Sequence, residues 1–286
     1  MSDAPVLSLP RHVVREAVER ALGEDLGRRG DITSASVLAP DLAGSWEIRA
    51  REPGTIAGLA CAAETFAALD PGIRFAPACA EGARLGRGGI VARLSGNAHG
   101  VLAGERTALN FLGHLSGIAT LTARYVALTE GTKAHIVCTR KTTPGLRALE
   151  KHAVAAGGGR NHRFGLDDAV LIKDNHVAAA GGIAAAVGAA RARAGHMLAI
   201  EVEVDSLAQL EEALAAGAGI VLLDNMTPDE LREAVRITAG RAVLEASGGV
   251  TEATCAAIAA TGVDLISVGR LTHSAPALDL GLDAVA

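Results

Sequence analysis

Residues 198–204 read LAIEVEV and residues 220–223 read IVLL; SLAQLEEALAA (206–216) lies between them, and TPDELREAVRIT (227–238) follows. The apolar runs are short and carry β-branched residues, which suits buried strands; the stretches after them space Ala and Leu as a helix does. Thr227-Pro228-Asp229-Glu230 marks a helix start, with a capping Thr, Pro at the first position and Glu at the third. Strand and helix therefore alternate here.

The same unit recurs on both sides. Further apolar runs lie at His135–Cys138, Ala169–Ile172, Ala242–Leu244 and Leu265–Val268, and Thr251–Thr261 is another helical stretch. Strands buried on both faces and alternating with helices imply a parallel sheet, open or closed into a barrel. The first part of the chain reads differently. Leu9–Leu22 has amphipathic helical spacing, Glu24–Ser34 is a Gly/Asp-rich loop, and Trp46–Arg51, Thr55–Leu59 and Ile90–Leu94 read as short strands. Ala103–Ala127 is a long helical pattern bridging the two regions, and the boundary is expected near Gly113.

In α/β barrels the chemistry gathers where strands end and the following loops begin. Thr139-Arg140-Lys141-Thr142-Thr143-Pro144-Gly145 follows the first run, and Lys173-Asp174-Asn175-His176 follows the second. The third run carries Glu201, Glu203 and Asp205 at alternate positions, hence on one face. The fourth ends in Asp224-Asn225, the fifth in Glu245-Ala246-Ser247-Gly248-Gly249, and the sixth in Gly269-Arg270. Buried charge without a partner is costly, so six such strand ends point to a polar ligand.

The sign of the charge narrows that ligand. The chain is −5 overall, yet between Arg140 and Lys173 seven Lys/Arg (140, 141, 147, 151, 160, 163, 173) stand against three acids (Glu150, Asp167, Asp168). His152, His162 and Gly157-Gly158-Gly159 lie in the same segment, the glycines allowing close backbone approach to a ligand. A pocket for a small polyanion is expected. Ser247-Gly248-Gly249 and Gly269, after the last two strands, stand where barrels bind phosphate through backbone N–H groups. Glu203 and Asp224 could hold Mg²⁺ together with phosphate oxygens; periodicity does not separate Glu201 from Glu203.

Composition excludes other classes. With 2% aromatic residues the chain lacks stacking platforms for single-stranded nucleic acid, and its net charge recruits neither DNA nor an anionic membrane. The first ten residues lack a leader pattern, and no apolar run reaches bilayer-spanning length. Cys61, Cys79, Cys138 and Cys255 are far apart, as expected of reduced thiols in the cytoplasm. P-loop, zincin, nucleophile-elbow and EF-hand motifs are absent. His114 and His196 have no ligand-spaced partners and read as ordinary histidines.

With those residues in place, the sequence resembles the quinolinate phosphoribosyltransferases, also called nicotinate-nucleotide pyrophosphorylases (carboxylating), nearly end to end. The resemblance rests on Glu24-Asp25-Leu26-Gly27 with Gly30-Asp31-Ile32-Thr33, Glu105–Asn110, Ser116–Thr120, Thr139–Gly145, Gly157-Gly158-Gly159 with Asn161-His162-Arg163, Lys173–His176, Glu201–Val204, Leu223–Met226 and Ser247–Gly249.

It implies an α/β fold of the type II phosphoribosyltransferase kind: an incomplete parallel α/β barrel (114–276) preceded by an α/β sandwich domain (1–113), which residues 277–286 are expected to join. It implies a homodimer with shared active sites, a further hexamer being left open. Arg106, reaching the neighbouring subunit, would bind the quinolinate carboxylates with Arg140, His162, Arg163 and Lys173, and Lys141 would lie beside both substrates. Glu203 and Asp224 would face ribose and Mg²⁺, while Ser247, Gly248, Gly249, Gly269 and His273 would hold phosphates. Arg270 departs from the family, which usually has a small residue there.

The activity so implied is decarboxylating transfer of phosphoribose from phosphoribosyl pyrophosphate to quinolinate, giving nicotinate mononucleotide for NAD biosynthesis. A paralogue acting on nicotinate, with its single carboxylate, should need fewer cations. A non-catalytic phosphate-binding barrel would have no need of Glu203 and Asp224.

Overall fold

The structure is a computed structural model, and it describes residues 8–285; the leader reading at the amino terminus falls largely outside them. In chain order the helices are α1 (Arg11–Leu26), α2 (Ile32–Val37), α3 (Leu59–Leu69), α4 (Ala98–Ala127), α5 (Arg147–Ala156), α6 (Asp174–Ala180), α7 (Ile183–Arg193), α8 (Leu207–Ala215), α9 (Pro228–Thr238), α10 (Glu252–Ala259) and α11 (Arg270–His273). The strands are β1 (Ala43–Ala50), β2 (Gly54–Thr55), β3 (Arg74–Pro77), β4 (Arg84–Leu85), β5 (Ile90–Asn97), β6 (His135–Val137), β7 (Val170–Ile172), β8 (Ile200–Val204), β9 (Ile220–Asp224), β10 (Val243–Ser247), β11 (Leu265–Ser267) and β12 (Leu280–Ala284). They form two compact units. One comprises the chain up to Ala123, Thr142–Gly158 and the chain from Leu271; the other comprises Arg124–Lys141 and Gly159–Arg270.

The first unit holds an antiparallel sheet in the order β12-β1-β5-β3. Its inner face supplies Trp46, Ile48, Val91 and Leu94, which pack with Leu59, Ala62 and Phe66 of α3 and Val101, Ala108, Leu109 and Leu112 of α4. Burial of these apolar side chains is the main stabilising force. Helix α4 passes the expected border at 113/114 without a break. Two of its glycines admit the returning chain: a Cβ on Gly117 would stand 2.0 Å from the Pro276 carbonyl oxygen, and one on Gly113 would stand 3.0 Å from that of Leu278.

Two expectations for this region fail. Thr55–Leu59 is not a strand: β2 ends at Thr55 and α3 begins at Leu59, in a run whose alanines favour a helix once its apolar face is covered. Glu24–Ser34 is not one loop, since α1 runs to Leu26 and Asp31 caps α2, accepting from Thr33 N at 2.9 Å and Ser34 N at 3.0 Å.

The second unit holds six parallel strands in the order β6-β11-β10-β9-β8-β7. The first strand of the set lies beside the last, as in a ring, and no ladder joins β6 to β7 among the described residues; a single bridge, Val137↔Arg160, stands near that seam. This is the incomplete parallel barrel. All six apolar runs read from the sequence become its strands. Helix α9 spans Pro228–Thr238 with the expected capping box, Thr227 against Glu230.

Candidate active site

Parallel strands bring their carboxyl ends to one rim. Glu203 on β8 is in register with Leu222 on β9, and Asp224 lies two residues beyond Leu222, so Glu203 and Asp224 share a face. Depth along β8 grades toward the rim. Glu201 is buried at 7% exposure, the Glu203 side chain is 18% exposed, and Asp205 is exposed. Thus Glu201 and Glu203, inseparable by periodicity, differ in position: the second is the rim residue.

Lys173, at the end of β7, pairs with Glu203 across the adjacent strand. Its backbone N–H donates to His176 Nδ1 at 2.9 Å, fixing the start of α6. Asp224 accepts from Asn225 Nδ2 at 2.7 Å. Asn225 has φ 55°, and its N–H donates to the Ser247 carbonyl at 2.9 Å, so the loops after β9 and β10 interlock. Gly248 has φ 92°, and a Cβ there would stand 2.1 Å from Asn225 Oδ1. Only glycine fits that turn. Gly249 follows at φ 60°, with nothing within 4 Å of its missing Cβ.

Arg140 and Arg163 are close enough to interact. Burial first, and then the charge of Arg140, hold the Arg163 guanidinium below its ordinary range, while Asp168 and Glu201 pull the other way. Arg163 Nη1 donates to the Ala169 carbonyl at 3.1 Å. Lys141 is exposed, its backbone N–H donating to Thr139 Oγ1 at 3.1 Å. Gly269 leads into α11, on which Arg270 is exposed.

Beneath the rim lies a cluster the sequence did not single out. His162 Nε2 is 3.0 Å from Glu201 Oε2 and 3.8 Å from Glu245 Oε1. Glu245 was read as a rim residue; β10 runs on to Ser247, which leaves Glu245 inside the sheet at 2% exposure. Burial, and next the charge of Glu201, push its carboxyl up to about 7. These three residues are the one group of His, Cys, Asp or Glu side chains at metal-ligand spacing among the described residues. Glu203 and Asp224 are not part of that group.

The basic segment is not a single pocket. Arg147 and Lys151 lie on α5 in the first unit, where Arg147 Nε donates to Thr142 Oγ1 at 3.0 Å and Lys151 is buried. His152, also on α5, meets Glu81 at 3.1 Å. Gly157 serves packing rather than a ligand, because its missing Cβ is filled by α4: Ala119 O would be 2.4 Å away.

Arg106 and His273 belong to the first unit as well. Arg106 is exposed on α4, four and eight residues before Asn110 and His114 on the same face. His273 is exposed, its Nδ1 2.6 Å from Ser274 Oγ. His114, read as an ordinary histidine, pairs at 2.8 Å with the fully buried Glu150, which also accepts from Thr143 N at 3.1 Å. That partner is 36 residues away, beyond any spacing rule. His196 is exposed in a turn, as expected.

Comparison with known proteins finds relatives over most of the chain. Sequence models of the quinolinate phosphoribosyl transferase N-terminal and C-terminal domains match residues 31–116 and 118–283. A probable nicotinate-nucleotide pyrophosphorylase (carboxylating) of Bacillus subtilis is 46% identical over 260 residues, covering 91% of this chain and 89% of its own. The nicotinate-nucleotide pyrophosphorylase (carboxylating) of Mycobacterium leprae is also 46% identical, covering 94% and 96%. The solved nicotinate-nucleotide pyrophosphorylase of Francisella tularensis superimposes with a TM-score of 0.94 at 39% identity, over 99% of this chain and 100% of that one.

Proposed function

The chain belongs to the quinolinate phosphoribosyltransferase family, and from that premise we propose that it joins quinolinate to the phosphoribosyl group of phosphoribosyl pyrophosphate. Pyrophosphate and CO₂ leave, and nicotinate mononucleotide remains. The observation that carries the reading is the Lys173–Glu203 ion pair between β7 and β8, in the same unit as the interacting Arg140 and Arg163. A cation paired with an acid at adjacent strand ends supports a site that takes a carboxylate beside a ribose.

Arg140, Arg163 and Lys173 hold the two adjacent carboxylates of quinolinate, planar guanidinium forks being suited to that geometry. His162 belongs to the same cluster. Arg106 comes from the partner chain of a homodimer, and Lys141 stands beside both substrates. Glu203 and Asp224 stabilise the positive charge that grows on the ribose as pyrophosphate leaves. Mg²⁺, held by these two acids and by substrate oxygens, would neutralise the leaving group. Backbone N–H groups of Ser247, Gly248, Gly249 and Gly269, with His273, cradle phosphate. Once its nitrogen is glycosylated, the pyridinium ring takes up the electron pair released as the C2 carboxylate departs, so the chemistry needs no electron sink from the protein. Cys61, Cys79, Cys138 and Cys255 are all unbridged, in keeping with a cytoplasmic enzyme.

Incubation with quinolinate, phosphoribosyl pyrophosphate and Mg²⁺ should yield nicotinate mononucleotide. The monoacid nicotinate leaves buried cations unpaired, so kcat/KM for quinolinate should exceed that for nicotinate by about 10⁴. Comparable values for the two acids would remove this reading.

A further inference from the structure

His162 is gripped at both ring nitrogens. The Arg163 backbone N–H donates to Nδ1 at 2.7 Å, so Nδ1 carries no hydrogen and Nε2 does. That hydrogen is directed at Glu201 Oε2, 3.0 Å away, with Glu245 Oε1 at 3.8 Å. The two acids come from β8 and β10, and both are buried. Glu201 Oε1 and Glu245 Oε1 have no hydrogen-bond partner, and Ser267 hydrogen-bonds to the Glu245 carboxyl.

The tautomer decides what this cluster does. The spacing of the three side chains would suit a divalent metal, but a ligating Nε2 must offer a lone pair, and here it bears the hydrogen. The ring therefore bridges from Glu201, with Glu245 beside it, to the backbone of Arg163. Arg163 needs such a tether. Its guanidinium lies beside that of Arg140, its Nε is buried without a hydrogen-bond partner, and Nη1 is tied to the Ala169 carbonyl. Like charges held close drift apart unless the framework fixes them.

We infer that Glu201 and Glu245 are positioning residues of the quinolinate site, acting through His162 to hold Arg163 where a substrate carboxylate meets it. Neither acid touches substrate in this scheme. The inference deepens the function proposed above and rests on it.

The test is steady-state kinetics with each substrate varied in turn, for wild type, Glu201→Leu, Glu245→Leu and Glu201→Gln, with quinolinate binding measured by calorimetry. Supporting partners of this kind change affinity by about 10- to 100-fold, so either Leu variant should raise the quinolinate KM by roughly 30-fold. The phosphoribosyl pyrophosphate KM should stay within about threefold, and Glu201→Gln, whose carbonyl still accepts from Nε2, should return the quinolinate KM to within about fivefold of wild type. Should a Leu variant not fold, Glu201→Asp, which withdraws the acceptor by one methylene, is expected to raise the quinolinate KM in the same selective way. A quinolinate KM unchanged in the variants, or both KM values rising together, overturns the inference. So does one tightly bound metal ion per chain that disappears in Glu245→Leu. If wild type makes no nicotinate mononucleotide, the functional reading fails instead; calorimetry of quinolinate with wild type and variants then still decides whether the acids position its site.

Discussion

Gly157, at the end of α5, is pressed against Ala119 of α4 so closely that an added Cβ would stand 2.4 Å from the Ala119 carbonyl oxygen and 2.7 Å from Thr122 Cβ. The obstruction is backbone, which cannot swing aside. Gly157→Ala should therefore cost about 3 kcal/mol by overpacking. Gly158→Ala meets a different penalty, the left-handed backbone at φ 87°, and should cost about 1 kcal/mol. Urea unfolding of both variants would show whether the order holds.

Asp224 tests the electrostatic part of the mechanism. Asp224→Asn keeps the shape and removes the charge facing the ribose, so kcat should fall by about 10²-fold or more. Quinolinate affinity, set by the cations, should change by less than about threefold. EDTA should abolish wild-type turnover, and excess Mg²⁺ should restore it. Normal kcat in Asp224→Asn removes that residue from the mechanism.

Glu245 makes stability depend on pH in a defined direction. Burial and the charge of Glu201 raise its carboxyl from the ordinary 4.5 to about 7, against the smaller opposing pull of His162 and Ser267. Between those values the folded protein keeps the proton that the unfolded chain releases. The stabilisation is therefore complete below about pH 4.5 and is lost as the pH rises through 7. Glu245→Gln removes the titrating group at almost constant volume. Relative to wild type its melting temperature should be unchanged near pH 4.5 and higher at pH 8. A difference independent of pH would show that the carboxyl titrates normally.

Arg106 tests whether sites are shared. Arg106→Ala and Lys141→Ala homodimers should each be nearly inactive. After subunit exchange about half the dimers are mixed, and in each of these one site carries both lesions and the other neither, so about a quarter of all sites should recover. Verified exchange without recovery would place Arg106 in its own chain's site.

The parts of this molecule set by local pattern were legible in the sequence. Six Val/Ile/Leu runs became the six barrel strands, and Thr227 to Glu230 fixed the start of α9, because strand burial and helix capping leave marks within a few residues. Distant partners left no such mark. Glu150 looks like one acid in a basic segment, yet it is fully buried under His114. Lys151 was counted with the pocket cations and lies inside the first unit. Gly157 carried the right signal, a need for close approach, but a glycine does not say whether ligand or helix approaches it. At the candidate site the residue types were legible, whereas the depth that separates Glu201 from Glu203 required the register of β8 against β9.

Strand β12 pairs with β1, and Arg51 meets Asp283 at 2.5 Å across 232 residues of chain. On a ribosome adding about 5–20 residues per second, β1 emerges roughly 10–50 s before the strand that covers its edge. The second unit, whose strands all lie between, can close during that interval. The unit begun before the barrel is thus completed after it, and the open edge of β1 is exposed to chaperones and to neighbouring nascent chains until β12 emerges.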